Sequence, residues 1–406
     1  MNWIALLIIT LTLIGVAIGR FPLFRLNRAT IALVGASLLV VANVITLEQA
    51  YHAIDFNTIA LLFAMMVLNI NLRLAGFFNI VSSRIVRSAR SPKQLLYWLI
   101  FASGILSSLF LNDTIVLVFT PLVLEVVLGL KRNPIPYLLA LATAANVGSA
   151  ATIVGNPQNM IIGVFSQIPF ARFALILTPV AFVGLWLIGV IIVWFYPKEF
   201  SNAPLPVIPE TKPPRHFKPL LYKSLVAISV MIVAFFAGAP IPVAALGSAT
   251  LLLITRRVKS ERVFIELGWS LLMFFSGLFI VTHAFNSLFF SHLQFSLAGR
   301  DSLTTIFNLS VISTILSNLI SNVPAVLLLG PVVTALPQPE MAWLTLAMAT
   351  TFAGNLTLLG SVANIIVAES ARRQGVTLSF LEYLKVGLPI AVLTLVLGIV
   401  WLALVF

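Results

Sequence analysis

SSLFLNDTIVLVFTP, from Ser107 to Pro121, and SNLISNVPAVLLLGP, from Ser317 to Pro331, are two copies of one pattern. Aligned without gaps, they match Ser107 with Ser317, Leu109 with Leu319, Asn112 with Asn322, Val116 with Val326, Leu117 with Leu327 and Pro121 with Pro331. Each copy interrupts a long apolar stretch, about 95–130 in the first case and about 303–336 in the second. A second correspondence follows each one. ATIVGNPQN (Ala151–Asn159) and LTLLGSVAN (Leu356–Asn364) pair Thr152 with Thr357, Gly155 with Gly360 and Asn159 with Asn364. Glycine and proline weaken a helix in mid-span, and the amides and carbonyls they free need partners. In a membrane, non-helical backbone survives only where protein buries it or it lines a cavity. The pattern predicts two re-entrant hairpins, tipped at Asn112–Thr114 and Ser321–Val323. Each faces a helix broken around Gly155–Asn156 or Gly360–Ser361.

The composition requires a bilayer as solvent. Of 406 residues, 60% are hydrophobic and 9% charged, against roughly a quarter charged in a soluble domain. Apolar blocks of about 20 residues recur, each long enough as a helix to cross a hydrocarbon core of roughly 30 Å. Spans are predicted near Trp3–Gly19, Thr30–Leu47, Phe56–Leu72, Pro136–Phe165, Phe173–Phe195, Leu220–Ala237, Val243–Thr255, Phe264–Ala284, Trp343–Ala368 and Val386–Val405. The first block has Arg20, Arg25 and Arg28 behind it and no basic stretch in front. This reverses the order of a signal peptide and predicts a retained span.

The net charge of +12 would suggest nucleic acid in a soluble protein. Here the basic residues sit between apolar blocks and read as a topology signal, with no nucleic-acid partner. With the N-terminus outside, the inner side receives Arg20, Arg25 and Arg28; Arg73, Arg84, Arg87, Arg90 and Lys93; and Lys131 and Arg132. It also receives Lys198, Lys212, Arg215, Lys218 and Lys223; Arg256, Arg257, Lys259 and Arg262; and Arg372, Arg373 and Lys385. Arg172 and Arg300 fall on the outer side. The bias places a multi-pass chain in the cytoplasmic (inner) membrane with both termini outside.

The proline-rich stretch at 197–219 reads as a cytoplasmic linker. It separates a first repeat, 1–196, from a second, 220–406. The first starts outside and ends inside, and the second does the reverse. The fold class is therefore an all-α membrane protein of two inverted-topology repeats, each with a re-entrant hairpin and a broken transmembrane helix. That architecture is typical of secondary transporters.

Unwound carbonyls can coordinate a cation, and helix N-termini can face an anion. The candidate binding residues are Ser107, Asn112, Asp113, Thr114, Thr152, Gly155, Asn156 and Asn159 in the first half. In the second they are Ser317, Ser321, Asn322, Asn355, Thr357, Gly360, Ser361 and Asn364. Ser107, Asn112 and Gly155, with Ser317, Asn322 and Gly360, form two candidate sodium sites. Serine, threonine and asparagine in apolar helices also bond neighbouring helices, and for Ser107, Ser317, Asn146 and Asn355 both readings stay open. Asp113 has no acidic counterpart, since Val323 takes its place. An ionisable group at that depth is a functional hypothesis by default. It could bind a cation, carry a proton, or pair locally with hairpin-tip amides.

At these residues the sequence resembles the ion transporter superfamily of divalent-anion/sodium symporters, citrate permeases, arsenite efflux pumps and one type of sodium/proton antiporter. In the symporters each tip carries Ser-Asn-Thr. Here the tips read Leu111-Asn112-Asp113-Thr114 and Ser321-Asn322-Val323. The resemblance implies an elevator mechanism on a homodimeric scaffold. It also implies a small anion or oxyanion as substrate and sodium ions or protons as coupling ions, with no other cofactor. The basic, amphipathic segment Phe77–Gln94 reads as an interfacial helix linking scaffold to transport body.

An enzyme would need a nucleophile with its base, or a metal cluster. The chain has no cysteine, and its four histidines (His52, His216, His283, His292) lack ligand spacing. Arsenite or antimonite efflux, sodium/proton antiport and a passive channel remain as alternatives. The cysteine-free background makes the pocket testable. Asn112→Cys and Asn322→Cys should be shielded from a membrane-impermeant maleimide in at least one condition. Full labelling of both, from opposite faces in every condition, would rule the pocket out.

Overall fold

Ser91 and Pro92, Asn133 and Pro134, Asn156 and Pro157 are three successive cap-and-proline starts, and each opens a helix in the computed structural model. In all three the side chain before the proline accepts an orphan amide of the first turn, and proline at the first position forfeits no bond. The structure describes residues 3–21, 26–200, 217–254, 260–289 and 299–406. Arg25, Lys212, Arg215, Arg256, Arg257, Lys259, His216, His292, the side chain of Arg20 and linker residues 201–216 lie outside the described residues.

The first half runs α1 (Trp3–Ile18), a two-residue antiparallel pair β1 (Arg20–Phe21) and β2 (Leu26–Asn27), α2 (Arg28–Val41), α3 (Leu47–Ala53), α4 (Phe56–Leu74), α5 (Phe77–Ser88), α6 (Pro92–Leu109), α7 (Asn112–Gly129), α8 (Pro134–Ser149), α9 (Pro157–Ser166) and α10 (Phe170–Phe195). The second runs α11 (Lys218–Phe236), α12 (Ile241–Leu253), α13 (Ser260–Glu266), α14 (Trp269–Phe289), α15 (Ser302–Ile320), α16 (Asn322–Thr334), α17 (Pro339–Ala353), α18 (Val362–Arg373) and α19 (Phe380–Val405). Seven of these, α4, α7, α10, α11, α14, α15 and α19, are long and apolar enough to cross a membrane by length and composition.

The two halves repeat one order and pack reciprocally. α2 lies on α14 and α12 on α4, so each half's second helix covers the other half's counterpart of α4. Likewise α7 packs on α18 and α16 on α9. The hairpins α6–α7 and α15–α16 each embrace their own broken helix, α8/α9 or α17/α18. The 26-residue helices α10 and α19 flank the centre and pack on each other. Trp401 Nε1 there donates to the Ile176 carbonyl at 2.8 Å. The chain is thus an all-α membrane protein of two inverted-topology repeats. α5 has no counterpart among the described residues.

Several boundaries differ from the sequence expectations. The first hairpin turns at Phe110–Leu111, and Asn112 already opens α7, because its backbone N–H is held by the Gly155 carbonyl at 3.0 Å. The second turns on Ser321 alone, at φ +81°. The span expected at Phe264–Ala284 is two helices. α13 is anchored by Glu266, which pairs with Arg73 at 2.5 Å and Arg262 at 3.5 Å, and the membrane helix α14 starts only at Trp269. The span expected at Thr30–Leu47 stops at Val41; a capping box between Thr46 and Gln49 then starts α3. The last helix begins six residues early, at Phe380, because Ser379 accepts the Glu382 amide.

The closest approach of a glycine to another backbone in the first half is glycine on glycine. A Cβ at Gly148 would lie 2.2 Å from the Gly104 carbonyl oxygen, which lets α6 and α8 pack backbone to backbone. Gly148→Val should lower stability by about 1–3 kcal/mol through overpacking, read as a lower apparent Tm of the detergent-solubilised protein. Gly247→Ala, inside α12 with nothing within 4 Å of the added carbon, should leave it no lower, since alanine is the better helix former.

Candidate functional site

Both broken helices leave a run of backbone between their halves, 150–156 in the first and 354–361 in the second. Freed carbonyls there must find donors. Two asparagines supply them in the same manner. Asn159 Nδ2 donates to the Ser149 and Thr152 carbonyls at 3.3 and 3.0 Å. Asn364 Nδ2 donates to the Gly354 and Thr357 carbonyls at 2.7 and 3.2 Å. Both asparagines are fully buried.

The breaks are then tied across the halves. Asn156, the cap of α9, donates through Nδ2 to Thr351 Oγ1 at 3.2 Å. Its counterpart Ser361, the cap of α18, donates through Oγ to Asn146 Oδ1 at 3.0 Å. Thr351 and Asn146 occupy equivalent places on α17 and α8. The exchange is therefore reciprocal: each cap reaches the unbroken arm of the opposite repeat.

Asn146 is the hub. Its Oδ1 also accepts from Asn112 Nδ2 at 3.2 Å, and its Nδ2 donates to Asn355 Oδ1 at 2.8 Å and Asn364 Oδ1 at 3.0 Å. Its amide thereby joins the first hairpin, the second break and α18. Asn355 in turn donates to the Thr143 carbonyl at 3.2 Å. The hairpins grip the breaks through equivalent threonines. Thr152 donates to the Ser108 carbonyl, and Thr357 to Asn318 Oδ1 at 3.3 Å. Asn318 Nδ2 closes onto the Ala353 carbonyl at 3.0 Å.

Oxygen density gathers at Gly155. A Cβ there would meet the Ser149 carbonyl oxygen at 2.3 Å and the Ser107 carbonyl oxygen at 2.8 Å. At Gly360 it would meet Asn318 Oδ1 at 2.9 Å and the Gly354 carbonyl oxygen at 3.1 Å. The Ser107 and Ser317 hydroxyls, at matching places in the two hairpins, are buried without a hydrogen-bond partner, as are Asn159 Oδ1 and Asn322 Oδ1.

Most of the sequence candidates thus belong to one network. The Asp113 and Thr114 side chains lie apart from it, although the Asp113 N–H donates to Asn112 Oδ1 at 2.9 Å. Thr114 Oγ1 accepts from the buried Asn69 of α4 at 3.4 Å, and the attractive charge at Asp113 is Arg28, the first residue of α2. Ser321 is half-buried at the turn and caps nothing with its side chain. Asn318, Thr351, Ser149 and Gln158, whose Nε2 donates to Thr351 Oγ1 at 3.4 Å, were not singled out from sequence. Asn318 aligns with Ser108 and Asn146 with Thr351, so the repeat did not flag either. For Asn318 and Asn146 the one signal is an amide in the interior of an apolar helix.

Residues 4–353 match the citrate transporter family, CitMHS. The chain is 31% identical to the silicon efflux transporter LSI3 of Oryza sativa subsp. japonica, over 93% of each chain. It is 30% identical to a 46 kDa membrane protein of Mycobacterium leprae (strain TN), over 97% of this chain and 98% of that one. The putative transporter arsB of Dictyostelium discoideum is 25% identical over 92% of this chain and 87% of its own length. Among solved structures, the Alcanivorax borkumensis YdaH transporter superposes with a TM-score of 0.58 at 17% identity, covering 99% of this chain and 96% of that one. That likeness concerns the fold.

Interhelical hydrogen bonds in membranes average about 0.6 kcal/mol each. Four converge on the Asn146 amide, so Asn146→Leu should destabilise the protein by about 2 kcal/mol. It should also release the first hairpin. Denaturant titration and protection of Leu111→Cys, at the buried turn beside Asn112, from maleimide would register the two effects separately.

Proposed function

As a member of the citrate transporter family, the chain is a multi-pass membrane transporter, and we propose that its cargo is a small anion or oxyanion, moved with sodium ions or protons. The observation supporting this is the reciprocal pair of cap bonds, Asn156 to Thr351 and Ser361 to Asn146. It creates one centre from two oppositely directed motifs. The N-termini of α9 and α18 both start at that centre, and helix N-termini favour negative charge. The orphan hydroxyls of Ser107 and Ser317, beside the carbonyls gathered at Gly155 and the oxygens at Gly360, have the donor chemistry of a hard monovalent cation.

In this reading α6–α10 and α15–α19 form the transport body, while α1–α4 and α11–α14 form a scaffold that a second copy completes. The body slides as an elevator. The chain sits in the cytoplasmic membrane with both termini outside, and the linker at 197–219 separates the repeats inside.

A second reading is export of arsenite or antimonite. Its support is chemical: among the described residues no lysine or arginine hydrogen-bonds into the central network, which suits an oxygen-rich solute of little charge. A relative that is a silicon efflux transporter points the same way. Metalloid resistance conferred on a host lacking its own pump separates this reading from the first. Sodium/proton antiport would appear as proton coupling lost in Asp113→Asn, and a channel as single-channel currents beyond carrier turnover.

Proteoliposomes holding the wild-type chain should take up a candidate anion only under an imposed sodium or proton gradient. Ser107→Ala with Ser317→Ala should cut coupled flux at least tenfold and abolish sodium-dependent thermal stabilisation, because a ligand stabilises the state that binds it. Unchanged coupling in the double variant would exclude these hydroxyls as cation ligands.

A further inference from the structure

α5 buries Phe78, Ser82 and Ile85 against the first hairpin and exposes Arg84 and Arg87. Between α5, α6, α7 and the start of α8 runs a narrow, shallow crevice that opens to the surface. Its walls include Val86, Leu99, Leu122, Val126 and Tyr137. The wall is hydrocarbon in character. The Tyr137 hydroxyl is engaged elsewhere, donating to Glu199 at 3.3 Å, and Glu199 also lies 3.8 Å from Arg132. Val86, Leu122 and Val126 are partly exposed and open the crevice at the edge of the helix layer.

The rim has a strong sign. Arg84, Arg87, Arg90, Lys93 and Lys131 are all exposed near it, and none forms an ion pair among the described residues. Of the acidic side chains beside it among the described residues, Glu199 is paired with Arg132, which leaves Glu125, exposed on α7, facing the rim. The start of α6, the end of α7 and the start of α8 share this level, so the charges stand where a headgroup layer would meet the crevice mouth. A soluble anion would find the charges but no use for the hydrocarbon slot. A neutral lipid would fill the slot and leave five cations unpaired.

We propose that this crevice is a binding site for an anionic phospholipid of the surrounding bilayer. One acyl chain enters between α5 and α7, and the headgroup phosphate is held by the arginines that follow Ser82 on α5 and its exit. The occupant bridges α5 to the first hairpin through contacts that neither element makes alone. Basic residues near an anionic surface and apolar chain burial act together, and either alone binds only marginally.

The test uses the full chain in nanodiscs of phosphatidylcholine doped with phosphatidylglycerol that bears a diazirine in its acyl chain. After photolysis, label should map to residues 82–86 and 122–126. Unlabelled phosphatidylglycerol should compete and phosphatidylcholine should not. Arg84→Gln, Arg87→Gln and Arg90→Gln should weaken competition about fivefold per charge removed. Val86→Trp should exclude the label by filling the mouth. Glu125→Gln, a surface change that spares the fold, should strengthen competition. Equal labelling from a phosphatidylcholine probe, insensitivity to Glu125→Gln, or cross-linking of these residues to a second copy of the chain would each overturn the proposal.

Discussion

Backbone amides and carbonyls inside a bilayer cannot be left to water, and everything at the centre of this molecule follows from that constraint. Two helices are interrupted in the buried centre of the molecule, at 150–156 and 354–361. Buried asparagines take over the role that an unbroken helix would give to its own amides. Asn159 and Asn364 perform this service within each repeat, Asn355 reaches the Thr143 carbonyl of the other, and Asn146 ties these amides together through side-chain bonds. The neutral amide suits the task. It donates and accepts at once, and it brings no net charge into a region where an unpaired ion would be costly.

The two-fold relation is approximate, and its departures have consequences. On the first hairpin a glycine pair lets α6 and α8 touch through backbone. The matching face of α15 carries Ser310, Ser313, Thr314 and Ser317, whose oxygens are buried without partners. Asp113 is matched by Val323, and Arg28 supplies the attractive charge near it. The first hairpin therefore carries a carboxylate and a backbone-to-backbone contact, whereas the second carries neither and holds more unpartnered hydroxyls. Equal halves would build a symmetric centre; these build one whose two sides differ in polar groups and charge.

Much of the architecture could be read in the residues. Apolar blocks, basic clusters and the paired Asn112 and Asn322 motifs predict helices, inverted halves and interruptions near the places found. The errors share a cause. Asn112 was expected at the turn and stands in α7, because a carbonyl from a distant break captures its amide. Phe264 was expected inside the membrane and belongs to a short helix held by Arg73 and Glu266. In each instance a partner remote in sequence moved a boundary that local hydrophobicity would have put elsewhere.

By itself, the sequence determined that this chain lives in lipid and that it contains one motif twice, because length, apolarity and repetition are local properties written along the chain. Only the tertiary structure decided that Asn146, aligned with a threonine, is the junction of both repeats, and that Asn318 rather than Ser317 grips the second break. Those roles depend on which carbonyl lies within about 3 Å of which amide. That distance is set by how four helices from two halves meet, and no single segment of the chain contains it.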